Sequence, residues 1–184
     1  VQATSTAAWT GRYEPAATVY DNKMWLLGGG GYLNDVWSST DGINWVSSTN
    51  TFWTGRTGHS AVSFDNKLWV MGGWNGSRLN DVWYSNDPST GNWTQATSNA
   101  NWLGRYTFGL LSYDDKMWVF GGNREGTTWA EWLGSNEVWT SVDGINWTQE
   151  TNTASWHGRD FFGSTVFDNR VWLIGGDSNA GTEN

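Results

Sequence analysis

Cysteine is absent from this chain of 184 residues, which excludes disulfides and thiolate metal ligands. Only two His are present, His59 and His157, so a histidine-built metal centre is excluded as well. Basic residues are scarce. Ten Lys and Arg against eighteen Asp and Glu leave a formal charge of −8, which argues against nucleic acid and anionic membrane surfaces as partners. No run of eighteen apolar residues occurs, so no membrane insertion is expected. Helical periodicity is missing throughout. So are the Gly-x-Ser-x-Gly elbow, the phosphate loop and the dinucleotide fingerprint. No cofactor is expected.

What the chain has instead is 17 Trp and 24 Gly, placed periodically. Trp-x-Gly-Arg occurs at Trp9–Arg12, Trp53–Arg56, Trp102–Arg105 and Trp156–Arg159, with intervals of 44, 49 and 54 residues between the tryptophans. Behind each copy comes an apolar segment (Ala16–Tyr20, Ser60–Phe64, Phe108–Tyr113, Gly163–Phe167). An Asp-led two-residue turn follows, of residue types that tolerate positive φ in a hairpin. A second strand then runs into Gly-Gly: Lys23–Leu27, Lys67–Met71, Lys116–Phe120 and Arg170–Ile174. After a loop of variable length comes a third strand carrying Trp37, Trp83 or Trp139. A turn then leads to Trp45, Trp93 or Trp147 and a fourth strand. Short strands at this spacing predict an all-β protein of four-stranded antiparallel blades. The repeats fall at about 6–50, 51–99, 100–152 and an incomplete 153–184, about 3.5 to 4 blades in one propeller or part of one.

The Gly-Gly pair closing the second strand, the aromatic within that strand, and the third- and fourth-strand Trp resemble the kelch repeat family over nearly the whole chain. The resemblance implies a β-propeller of the galactose-oxidase central-domain type. The Asp41-Gly42-Ile43-Asn44 and Asp143–Asn146 turns are loosely similar to the Asp-box of sialidase-like propellers. Galactose oxidase activity requires a Cys cross-linked to Tyr, which this chain cannot form. A sialidase-like glycoside hydrolase fragment is a weaker alternative, because such a site needs non-equivalent arginines whereas these repeat identically. A turn, rather than half a calcium loop, is expected at Asp41 and Asp143.

Fourteen of the seventeen Trp sit in the repeat register and are expected in the core. Trp74, Trp129 and Trp132 lie outside it, in loops, and with Tyr32 form a candidate carbohydrate-stacking set. The kelch resemblance places Arg12, Arg56, Arg105 and Arg159 at the mouth of the central channel, with Tyr13, Thr57, Tyr106 and Asp160 beside them and His59 nearby. Two roles stand open for the Arg set. One is pairing with acids of neighbouring blades, such as Asp21, Asp65, Asp114 or Asp168. The other is an anion or acidic-peptide pocket. His59 and His157 are expected to be hydrogen-bonded structural residues.

The two ends of the sequence look complementary. Gln2–Ser5 matches Gln95–Ser98 of a fourth strand, while the fourth repeat stops after its second. Either this is a piece of a longer propeller, or residues 1–5 complete the blade of another copy as a homo-oligomer. The expected function is a non-catalytic binding or scaffold propeller, secreted or at the cell surface, that takes protein or, alternatively, glycan.

Overall fold

The computed structural model describes residues 2–48, 52–124, 134–178 and 181–182. Each of the first three repeats is a four-stranded antiparallel sheet with its strands in chain order. The inner strands are Ala16–Tyr20, Ser60–Phe64 and Gly109–Tyr113. The second strands are Lys23–Gly29, Lys67–Met71 and Lys116–Phe120. Leu33–Ser39, Val82–Ser85 and Val138–Ser141 come third, and Val46–Ser47, Thr94–Thr97 and Thr148–Thr151 fourth. These are blades of a kelch-type β-propeller. The fourth repeat is the hairpin of Gly163–Phe167 with Arg170–Ile174. Gln2–Ser5 was expected to add a strand to it. Residues 2–5 form no strand, and among the described residues that hairpin stays two-stranded.

Local chemistry accounts for the hairpins. Asp21 and Asn22 sit at φ 49° and 54°, and the Asp-led pairs at residues 65, 114 and 168 repeat this. Two successive left-handed residues give the turn whose twist matches that of the flanking strands. The Asp41 turn is held by its own side chain, whose Oδ1 accepts from the backbone N–H groups of Ile43 and Asn44 at 2.8 Å each. Together with the Asn44 amide, those bonds hold the Asp41 carboxyl well below the usual carboxylate range. Asp143 is built the same way. Among the described residues no group of three or more His, Asp or Glu is placed to hold a metal.

The sheets stack face to face and bury alternate residues of the second strand in opposite directions. Trp25 and Leu27 of the first repeat meet Leu68 and Val70 of the second. Trp69 and Met71 meet Met117 and Val119 of the third. Trp118 and Phe120 meet Val171 and Leu173 of the fourth. Each of the first three repeats thus has a forward face that the next repeat covers, and each of the last three a backward face that covers the one before. The inner strands lie side by side in chain order around a cavity of about 210 Å³ lined by small residues such as Ala17, Ser60, Ala61 and Ser164.

Candidate functional site

The Trp-x-Gly-Arg copies resolve into a clamp. Arg56 donates from Nε to the Thr54 carbonyl at 3.0 Å and from Nη1 to the Gly72 carbonyl at 2.9 Å. Its two terminal nitrogens fork onto Asp81 at 2.6 and 2.8 Å. Arg12 makes the same fork to Asp35 at 2.6 and 2.9 Å. Arg105 reaches Gly121 O and Glu137 Oε2 at 2.8 and 2.7 Å, and Arg159 reaches Gly175 O at 2.9 Å. The same carboxylates accept the indole N–H of Trp37, Trp83 and Trp139. Burial alone would raise the pKa of Glu137, but the Arg105 bond and charge hold it below its ordinary value. Each guanidinium of the first three repeats also lies over its motif Trp, Arg56 at 5.6 Å from the Trp53 ring. That Trp meets the fourth-strand Trp edge to face, as Trp53 does Trp93 at 6.1 Å and 85°.

Sequence had offered Asp21, Asp65, Asp114 and Asp168 as partners. The structure corrects this: the clamping acids are Asp35, Asp81 and Glu137, at the start of the third strand of the same repeat. It also removes the reading of the arginines as an open anion pocket. Arg56 and Arg105 are fully buried and Arg159 nearly so, with the donors of Arg56 turned onto the protein's own oxygens.

The backbone of the motif does separate work. Arg56 N–H donates to Leu33 O at 3.1 Å and Arg56 O accepts from Gly29 N at 3.0 Å, both groups belonging to the preceding repeat. Arg105 and Arg159 repeat this stitch. The motif Gly allows the approach, since a Cβ on Gly55 would fall 1.7 Å from Tyr32 O. On Gly11, with no repeat behind it, a Cβ meets nothing within 4 Å.

On the side where the chain enters the inner strands, the four repeats are linked in series. Glu14, Gly58, Thr107 and Phe161 occupy equivalent positions at φ 48°, 60°, 52° and 52°. Gly58 N donates to Glu14 O, Thr107 N to Gly58 O and Phe161 N to Thr107 O, at 3.1, 2.7 and 3.2 Å. Glu14 Oε2 accepts from Thr57 Oγ1 at 3.0 Å. Asp160 is buried beside this series. Burial pushes its carboxyl up, Asn123 offsets part of this by a side-chain hydrogen bond, and Asp177 and Glu14 add to the rise.

Three candidate aromatics converge on this side. Trp74 Nε1 donates to Tyr32 Oη at 3.2 Å. The Trp74 and Tyr106 rings stand 5.8 Å apart. Arg78 lies against both, 5.5 and 5.6 Å from their centroids, and its guanidinium is fixed by two bonds to Asn123 Oδ1 at 3.0 and 2.6 Å. Tyr32 is half exposed, and Tyr13 is exposed over Gly30. Trp129 and Trp132 lie outside the described residues. Arg78 and Asn123 were missed by sequence reading; the signal available was that Arg78 stands outside the Trp-x-Gly-Arg register.

His59 belongs to a different set. It lines the cavity, is buried, and neither ring nitrogen has a partner at hydrogen-bonding geometry. The expectation of a hydrogen-bonded structural His therefore fails at His59. Phe108 and Phe162 hold the equivalent place, and each packs on a Gly of the preceding repeat, as His59 packs on Gly28. Burial, then the Arg56 charge, pulls its pKa down to about 3 despite the Leu27 backbone, so the ring is neutral.

A search of curated proteins finds no match to the chain. The Kelch motif family model matches residues 55–84, which run from the clamp of the second repeat through its Gly pair to the third-strand Trp83. That match lies inside a register that recurs along the rest of the chain, so the repeats are similar to the Kelch motif.

Proposed function

We propose that the chain is a non-catalytic binding propeller whose ligand, a protein segment, sits on the loop side around the channel mouth. The observation that carries this is the Tyr32–Trp74–Tyr106 row, brought together from three successive repeats and held by Arg78 and Asn123. Rigid aromatics give contact area at low entropic cost and dominate binding surfaces. Kelch repeats generally serve protein binding. With Glu14 and Asp160 beside the row and a formal charge of −8, a basic segment suits the surface better than an acidic one.

The same row favours a second reading, stacking of a sugar ring. Peptide and glycan arrays probed with the wild type and with the combined Tyr32→Ala, Trp74→Ala and Tyr106→Ala variant separate the two. Protein binding predicts Lys- and Arg-rich peptide hits that the variant loses. Glycan hits lost in the variant select the lectin reading. Hits of either kind that the variant keeps would place the site elsewhere.

A further inference from the structure

The four repeats share one backbone where they enter the inner strands, yet their side chains differ there. Glu14, Gly58, Thr107 and Phe161, with the residue after each, line a cavity of about 180 Å³. Elsewhere the register repeats its chemistry, as in the Arg clamp, the Asp-led turns and the Gly pair. The variation also works against the backbone. Glu14, Thr107 and Phe161 sit at φ 48°, 52° and 52°, a region that Gly enters freely and a β-branched or aromatic residue does not. Gly58 shows that this place accepts glycine. Three repeats therefore hold a side chain over the cavity at a conformational cost, as residues do at binding sites.

Glu14 is aimed by its neighbours. Its Oε2 accepts from Thr57 Oγ1 at 3.0 Å. A Cβ on Gly58 would stand 3.1 Å from that oxygen, 3.2 Å from Thr107 Cγ2 and 3.2 Å from Tyr106 Cδ2. The carboxylate thus lies over Gly58, close to the Thr107 methyl and to the Tyr106 ring of the aromatic row. Among the described residues its Oε1 takes no hydrogen bond. No Lys or Arg lines the cavity, and its one base, His59, is a neutral ring. The field at this end is negative: after burial, the charges of Asp177 and Glu14 add to the rise in the Asp160 carboxyl.

We infer that this cavity takes the side chain of one lysine of the ligand, its ammonium donating to Glu14 Oε1 and its stem lying along Pro15, Phe108 and Phe162. The inference rests on the reading of the loop side as a surface for a basic segment, and it names the residue of that segment that is recognised. The geometry selects Lys over Arg. Thr57 holds one carboxylate oxygen, so the planar fork of a guanidinium finds only half its partner, whereas a point charge needs one oxygen. An apolar stem under a charged head matches apolar walls below a carboxylate. The cavity is also too small for a whole ligand and suits a single side chain.

The test is an NMR titration of the 184-residue chain with three probes: Nα-acetyl-lysine amide, its arginine counterpart, and the same lysine acetylated at Nε. The capped lysine should move the amide resonances of Gly58, Thr107 and Phe161. The other two probes should bind about tenfold more weakly or worse, having lost the single charge-assisted bond. Glu14→Gln keeps the shape and the Thr57 bond but not the charge, and should weaken capped lysine by about tenfold or more, with the rest of the amide spectrum unchanged. No shift at those three amides, equal affinity for capped arginine, or undiminished affinity in Glu14→Gln each overturns the inference. Trp74→Ala separates it from the loop-side reading, because it should weaken array peptides and leave capped lysine unaffected. Capped lysine that titrates as expected, with no peptide depending on Trp74, supports the cavity and removes the aromatic row. Peptides that depend on Trp74 yet bind as well with arginine in place of lysine keep the row and sink the cavity inference.

Discussion

Replacing His59 by Phe should stabilise the protein, and by more as the solution is made acidic. The ring of His59 stands 5.8 Å from Trp53 at 45°, and that of Phe108 stands 6.2 Å from Trp102 at 42°. A phenyl group is therefore already shown to fit this slot. At pH 7 the change removes two buried nitrogens that lack a partner at hydrogen-bonding geometry, a gain of about 1–3 kcal/mol, part of which the larger ring gives back in crowding. A net gain of about 1 kcal/mol corresponds to ~2–4 °C in Tm for a chain of this size. The pH dependence is sharper. With a folded pKa of about 3 against 6.5 unfolded, the unfolded chain takes up the proton first as the pH falls. Wild type then loses about 1.4 kcal/mol per pH unit from near 6.5 down toward 3, while above 6.5 nothing further changes. At pH 5 the advantage of the variant should have grown by about 2 kcal/mol, or ~4–8 °C. Carboxylates whose pKa is lowered, such as Asp35 and Glu137, also cost stability in acid. They do so equally in both proteins and cancel from the difference. Thermal melts of the pair at pH 7, 6 and 5 read this out. A gap that stays constant with pH would refute the view of His59 as a neutral ring in an aromatic slot.

Gly55→Ala should be strongly destabilising, by about 2–4 kcal/mol, because its Cβ meets a backbone oxygen; Gly11→Ala should fall within about 0.5 kcal/mol of wild type. Urea midpoints of the two variants check this. Asp81→Ala strands the fully buried Arg56 charge and should cost about 3–5 kcal/mol. Asp35→Ala should cost about half as much, since the Asp35 side chain is 34% exposed and water can reach the clamp there. Equal urea midpoints for those two variants would remove the burial argument.

The sheet framework was legible because its determinants are local. Ala16–Tyr20, Ser60–Phe64, Lys67–Met71 and Arg170–Ile174 coincide with observed strands, fixed by alternation, Asp-led turns and the Gly pair. The partners of the arginines were not. An acid recurs two residues before Trp37, Trp83 and Trp139, but only the fold brings it back to an Arg 23, 25 or 32 residues earlier. At the candidate site, sequence named Tyr32 and Trp74 in one set and Tyr106 in another. Their convergence depends on loops that fold back beside the motif, as in the Thr57–Trp74 and Trp74–Arg78 bridges, and such pairings leave no periodic trace. His59 was read by residue type, when its place in the register, shared with Phe108 and Phe162, was the better guide.

The three separations in the Arg clamp carry a consequence for how such a chain can diversify. Arg12, Arg56 and Arg105 each hold the end of the second strand and the start of the third, at nearly the same bonding distances, although the chain between those points differs in length from repeat to repeat. The clamp therefore insulates the blade from its own connecting loop. Residues added or removed there meet a fixed pair of anchor points and transmit little to the sheets. Each repeat behaves as a socket into which loops of different length and chemistry can be set, so a binding surface can be rewritten on the loop side without retuning the core that carries it.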